Sequence, residues 1–218
     1  MITALALPLA LLGLQQGIAE RLAGRVPPDV AGIVVDVGTA ALARGLPIDP
    51  LIQKAIEGSA KGIPSDRVGA AVRLVAAQLD TAAAALGEGG SALRSDTVAI
   101  AAGGFALTAG LSGRDVALLA KSGAPIPAMI TGLRVAGTLA ALGVPGAEAV
   151  ALVSATLQAG RPASELLALP GRVQAEMGKG VPPAQAAAGL ARAVAAQARH
   201  GPPPGRGQPA RPPAPPVP

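Results

Sequence analysis

The chain has no cysteine, so disulfides, thiolate metal sites and thiol catalysis are excluded. Tryptophan, tyrosine and asparagine are also absent, and phenylalanine occurs once, at Phe105. The lone histidine, His200, cannot assemble a metal or acid–base constellation by itself. Acidic residues never fall three or four positions apart, which removes the usual helix-borne carboxylate pairs of metal sites and glycosidases. The Gly-rich stretch 87–90 lacks the lysine of a phosphate loop. From these absences we expect no enzyme, no cofactor, no metal and no small-molecule substrate.

Alanine is the commonest residue, and the larger apolar side chains are almost all Leu, Val and Ile. Alanine is the best helix former and leaves little bulk between packed backbones. The clearest pattern is Gly-x-Pro, at Gly45-Leu46-Pro47, Gly62-Ile63-Pro64, Gly123-Ala124-Pro125, Gly143-Val144-Pro145, Gly160-Arg161-Pro162 and Gly180-Val181-Pro182. A glycine just past a helix end closes the last turn in the left-handed conformation. A proline at the first position of the next helix loses nothing, because its amide would be unpaired there. Asp49, Asp66, Glu148 and Glu165 follow in first turns, where the helix dipole favours an acid.

Gly123 to Gly160 spans 37 residues, as does Gly143 to Gly180. That period predicts an all-α fold, an α-solenoid-like array of short antiparallel helical hairpins with a two-helix unit of about 37 residues. Helices are expected at 27–44, from Asp49 and again through Val68–Leu79, then at 96–109, 113–122, 126–142, 146–159, 163–178 and 182–199. Pro170-Gly171 should break the 163–178 element. Gly103-Gly104 reads as a close helix contact. At about 12–18 residues, such helices are short for a bilayer.

Two short motifs resemble catalytic ones. Asp36-Val37-Gly38-Thr39 resembles the first phosphate loop of actin-like ATPases, but Pro27-Pro28-Asp29 opens its segment as a helix and no second such loop follows. Lys121-Ser122-Gly123 resembles the Lys-Ser/Thr-Gly element of penicillin-recognising serine enzymes, yet their Ser-x-x-Lys nucleophile motif occurs nowhere. Both motifs read as parts of helices.

The organisation expected is a signal peptide or first apolar helix at 1–19, a helical block at 20–86 and a Gly-rich connection at 87–95. A helical-repeat block at 96–200 and a disordered Pro/Arg tail at 201–218 follow. Residues 1–19 carry no charge, and the run Ala4–Leu14 has the length of a signal-peptide apolar region. If the chain is exported, its mature form is expected to begin between Gln15 and Glu20. Every charged residue after Glu176 is basic: Lys179, Arg192, Arg199, Arg206 and Arg211. These are the candidate contacts for an anionic polymer or membrane surface. With no Trp or Tyr to stack on bases, specific nucleic-acid binding is not expected.

The functional expectation is a non-catalytic helical-repeat protein that binds a protein partner or acts as a scaffold in the bacterial cell envelope, exported or periplasmic, or else cytoplasmic. The alternative is an anionic-polymer or membrane-surface binder working through the basic C-terminal segment.

Overall fold

The computed structural model describes residues 16–200, and His200 only in its backbone. Those residues are all-helical, without a strand among them. A first helix α1 (16–22) is followed by α2 (Pro28–Ala43), α3 (Asp49–Ala60), α4 (Ser65–Gly87) and the one-turn α5 (Ser91–Ser95). Then come α6 (Thr97–Thr108), α7 (Gly113–Ala120), α8 (Ile126–Ala141), α9 (Gly146–Gln158), α10 (Ala163–Gly178) and α11 (Pro183–His200).

Glycine ends the helices as their spacing implies. All six Gly-x-Pro glycines have positive φ. Gly143 shows the mechanism: at φ +86° its amide donates to the Ala140 carbonyl at 2.9 Å, and the Val144 amide donates to the Leu139 carbonyl at 3.0 Å. Val144 is thereby folded back into the core. The same pair of bonds closes the helices before Gly45, Gly62, Gly160 and Gly180.

Four of the six Gly-x-Pro prolines differ from expectation by one position. Pro64, Pro125, Pro145 and Pro162 are extended cap residues just ahead of α4, α8, α9 and α10. At α4, α8 and α9 the proline carbonyl takes the amide of the residue four positions on. A proline cap has no side chain to offer, and these four helix starts lack a side-chain cap bond. Side-chain caps appear where Gly-x-Pro lapses. Asp96 accepts from the Val98 and Ala99 amides at the start of α6, and Ser112 forms a capping box with Asp115 at the start of α7.

Helix α10 is one unbroken helix with Pro170 inside it, not two pieces. Leu166, Leu169 and Val173 are buried along one face and hold both halves in line across the missing amide. The stretch 87–95 holds the end of α4, a turn and α5, which buries Leu93. A Cβ on Gly89 would lie 2.5 Å from the Ala120 carbonyl oxygen, so this turn is seated on the end of α7. Helix α4, at 23 residues, is longer than expected and is the one described helix long and apolar enough to cross a bilayer. It packs against α2, α3, α5, α6 and α7.

Two rows of neighbours organise the packing. Helix α4 lies between α2 and α7, α7 beside α9, and α9 beside α11. Side-chain pairs fix their direction. Arg44 pairs with Asp80, and Glu88 with Lys121; Gly146 at the start of α9 faces Asp115 at the start of α7. Helix ends therefore meet helix ends, and the start of α9 meets the start of α7, so these helices run parallel. On the other side α6 packs on α8 and α8 on α10, while α3 packs on α2 and α4. One apolar core runs through α1 to α11.

Candidate functional site

Of the basic residues proposed as anionic contacts, three lie among the described residues. Lys179 follows α10 and is ion-paired to Glu176 at 2.8 Å. Arg192 is exposed in the middle of α11, and Arg199, near its end, donates through Nε to the Ala195 carbonyl at 3.3 Å. Seven positions apart, these two arginines share a helix face. Arg206 and Arg211 lie outside the described residues.

A cleft of about 610 Å³ lies elsewhere, between α3 and α6. Each helix contributes one face at helical spacing. Pro50, Gln53, Lys54 and Glu57 form the α3 wall; Val75 and Leu79 of α4 form the floor. The other wall is Ala101, Ala102, Gly104, Phe105 and Thr108 of α6, and Arg134 and Thr138 of α8 close the far rim.

The sequence explains why the cleft stays open. Helix α6 (TVAIAAGGFALT) carries no charge on any side. It packs tightly on α4, since a Cβ on Gly104 would come within 2.8 Å of Leu79 and one on Gly103 within 3.0 Å of Ala82. Its remaining face, with Val98 and Phe105 about half exposed, looks outward. Across from it α3 presents Gln53, Lys54 and Glu57, groups that cannot be buried against alanine and phenylalanine without large desolvation cost. Helices α6 and α8 have compatible faces and pack together; α3 and α6 do not.

The electrostatics are confined to the rim. Glu57 accepts from Lys61 and from Lys54, and these bonds, Lys61 first, hold its carboxyl below the ordinary glutamate value. Arg134 is exposed and has no carboxylate partner among the described residues. The hydroxyls lining the cleft are already spent: Thr108 donates to the Gly104 carbonyl and faces Gln78 Oε1 at 2.7 Å, and Thr138 donates to the Arg134 carbonyl. No group of three or more potential metal ligands occurs among the described residues.

Asp36 and Gly38 sit in mid-helix α2, where Gly38 packs on Ile18, so no phosphate loop forms there. Lys121 and Gly123 end α7, and Lys121 is paired to Glu88. Phe105 is the one phenylalanine of the chain, but nothing in the sequence pattern ties it to Leu79 or Arg134. The signal available was that α6 is apolar on every side yet lies in a chain too small to bury every side of it. Compared with known proteins, the chain matches no family model, no curated protein and no solved structure.

Proposed function

We propose that the chain is a non-catalytic binding protein, an α-solenoid-like array of helical hairpins whose ligand seat is the cleft between α3 and α6. The observation that carries this reading is the cleft itself: an apolar floor and wall with charge only at the rim. Pockets of a few hundred Å³ with that lining are suited to holding a ligand. The glycine stops support the repeat. From Gly90 to Gly110 to Gly123, and again from Gly123 to Gly143 to Gly160, a longer step precedes a shorter one. In each, the longer step holds a helix of the α6–α8–α10 row and the shorter a helix of the α7–α9–α11 row. At α2 and α3 the order of rows is reversed, and α4 is the junction. The cleft opens at that junction.

The uncharged apolar run Ala4–Leu14 supports a setting in the bacterial cell envelope. A second reading, binding of an anionic polymer or membrane surface, is favoured by the shared face of Arg192 and Arg199 and predicts salt-sensitive binding lost on deleting 179–218.

A photo-crosslinking amino acid placed at Phe105 in the full chain tests the main reading in cells, with the same group at exposed Leu118 of α7 as control. A discrete adduct from position 105, absent from 118, is expected. Equal labelling from both positions, or none from 105, removes the cleft as the binding seat.

A further inference from the structure

We propose that the cleft between α3 and α6 takes a single-chain amphiphile with an anionic head, of which a medium-chain fatty acid is the simplest. The tail would lie over Leu79 and Phe105 and the head at Arg134. This rests on the binding reading above and names its ligand, departing from the sequence-based expectation of a protein partner.

Three observations select this chemistry. The first is shape. The α6 wall runs from Ala101 to Thr108, about 11 Å of helix at 1.5 Å per residue. With a volume of about 610 Å³, the cleft has ample room for a chain laid along that wall.

The second is the lack of free polar groups at its floor. Leu79 forms a fully buried floor, and the Thr108 and Thr138 hydroxyls both donate to carbonyls of their own helices. A peptide backbone laid there would bring amides and carbonyls that find no partner at the floor, each costly to leave unpaired. An alkyl tail brings none. Phe105, the single aromatic residue of the chain, is held half exposed over this space by close packing of its ring against Gly137.

The third is charge. On the α3 wall Lys54 is paired with Glu57, so the two charges lining the cleft there cancel. On the opposite rim Arg134 has no carboxylate among the described residues. The lining is therefore net positive at Arg134. A carboxylate head is attracted there, and an ammonium head is repelled. The guanidinium offers a planar pair of donors matched to a carboxylate.

The experiment uses the purified full-length chain and three probes of equal chain length: decanoate, decanol and decylamine. Binding is followed by calorimetry and by the methyl resonances of Leu79, below the micelle concentration of each probe. One-to-one binding of decanoate is expected, with displaced Leu79 signals, weaker binding of decanol and none of decylamine. Arg134→Gln, a change at an exposed position, should weaken decanoate about fivefold and leave decanol unchanged, the size expected of an exposed ion pair. Added salt should narrow the gap between decanoate and decanol. Ala101→Trp, which places an indole on the α6 wall, should weaken binding of both, with helicity checked by circular dichroism.

Equal affinity for the three probes, indifference to Arg134→Gln or undisturbed Leu79 methyls would overturn the proposal. If decanoate fails while the crosslinker at position 105 captures a peptide, a second copy of the chain or its own N-terminal segment, the cleft remains the seat and the amphiphile is excluded. If decanoate fails and position 105 captures nothing, both readings fall.

Discussion

Gly137 of α8 lies directly against the ring of Phe105. A Cβ added there would stand 2.8 Å from Phe105 Cε1 and 3.0 Å from the Ala106 Cα. The ring can swing toward the cleft, but the Ala106 backbone cannot move without shifting α6. Gly137→Ala should therefore destabilise the protein by about 1–2 kcal/mol, as overpacking outweighs the helix propensity gained. Urea unfolding measures this, and Phe105→Leu in the same chain should recover only part of the loss.

Glycines divide sharply by conformation. Gly160 closes α9 at φ +62°, and an alanine there is strained whatever the space around it. Gly189 sits inside α11 without a positive φ, and a Cβ added to it would meet nothing within 4 Å. Gly160→Ala should cost about 1–2 kcal/mol, whereas Gly189→Ala should stabilise by about 0.4–1 kcal/mol. Thermal melts of the two variants should move in opposite directions.

Gly160 and the other Gly-x-Pro glycines were legible in the sequence because a left-handed helix stop is a local requirement, met by one residue type and followed by proline. The same logic faltered between 80 and 122, where Gly90 and Gly110 stop the chain without a following Gly-x-Pro proline and Asp96 and Ser112 supply the caps. The cleft was not legible at all. It arises from a mismatch between Gln53, Lys54 and Glu57 on α3 and Ala101 and Phe105 on α6, nearly fifty residues away. No local pattern records which of these faces will meet.

Pro170 illustrates a tertiary override of a local rule. Its ring removes an amide that would otherwise bond the Leu166 carbonyl, yet α10 continues because three buried side chains span the defect. Pro170→Ala restores the donor and should stabilise the chain by about 1–3 kcal/mol. Amide exchange around 166–174 should slow in the variant; unchanged exchange would mean that the helix has fully relaxed around the ring.

The Glu57 carboxyl should titrate below the ordinary glutamate value, because Lys61 and then Lys54 hold its charged form. The sign follows from linkage: the carboxylate is favoured in the folded state. Its contribution is full above the unfolded pKa and is lost as pH falls through the lowered folded value. Carbon-detected NMR titration of the side chain measures the midpoint, and Lys61→Gln should shift it upward.

Ile18 sets a limit on any N-terminal processing. Its side chain is buried, and its Cδ1 reaches the bare face of Gly38, 3.0 Å from where a Cβ would stand. Leu22, one turn on, is also fully buried. The expected cleavage window of Gln15 to Glu20 therefore divides into two physically different outcomes. Cleavage ahead of Gln16 leaves the described α1 whole, whereas cleavage after Ala19 removes Ile18 and opens a cavity between α1 and α2. A chain beginning at Glu20 should be less stable by about 2–4 kcal/mol, comparable to Ile18→Ala in the full chain. If the protein is exported, sequencing the mature N-terminus should find it at or before Gln16. A mature chain beginning at Glu20 with undiminished stability would show that α1 contributes nothing to the core.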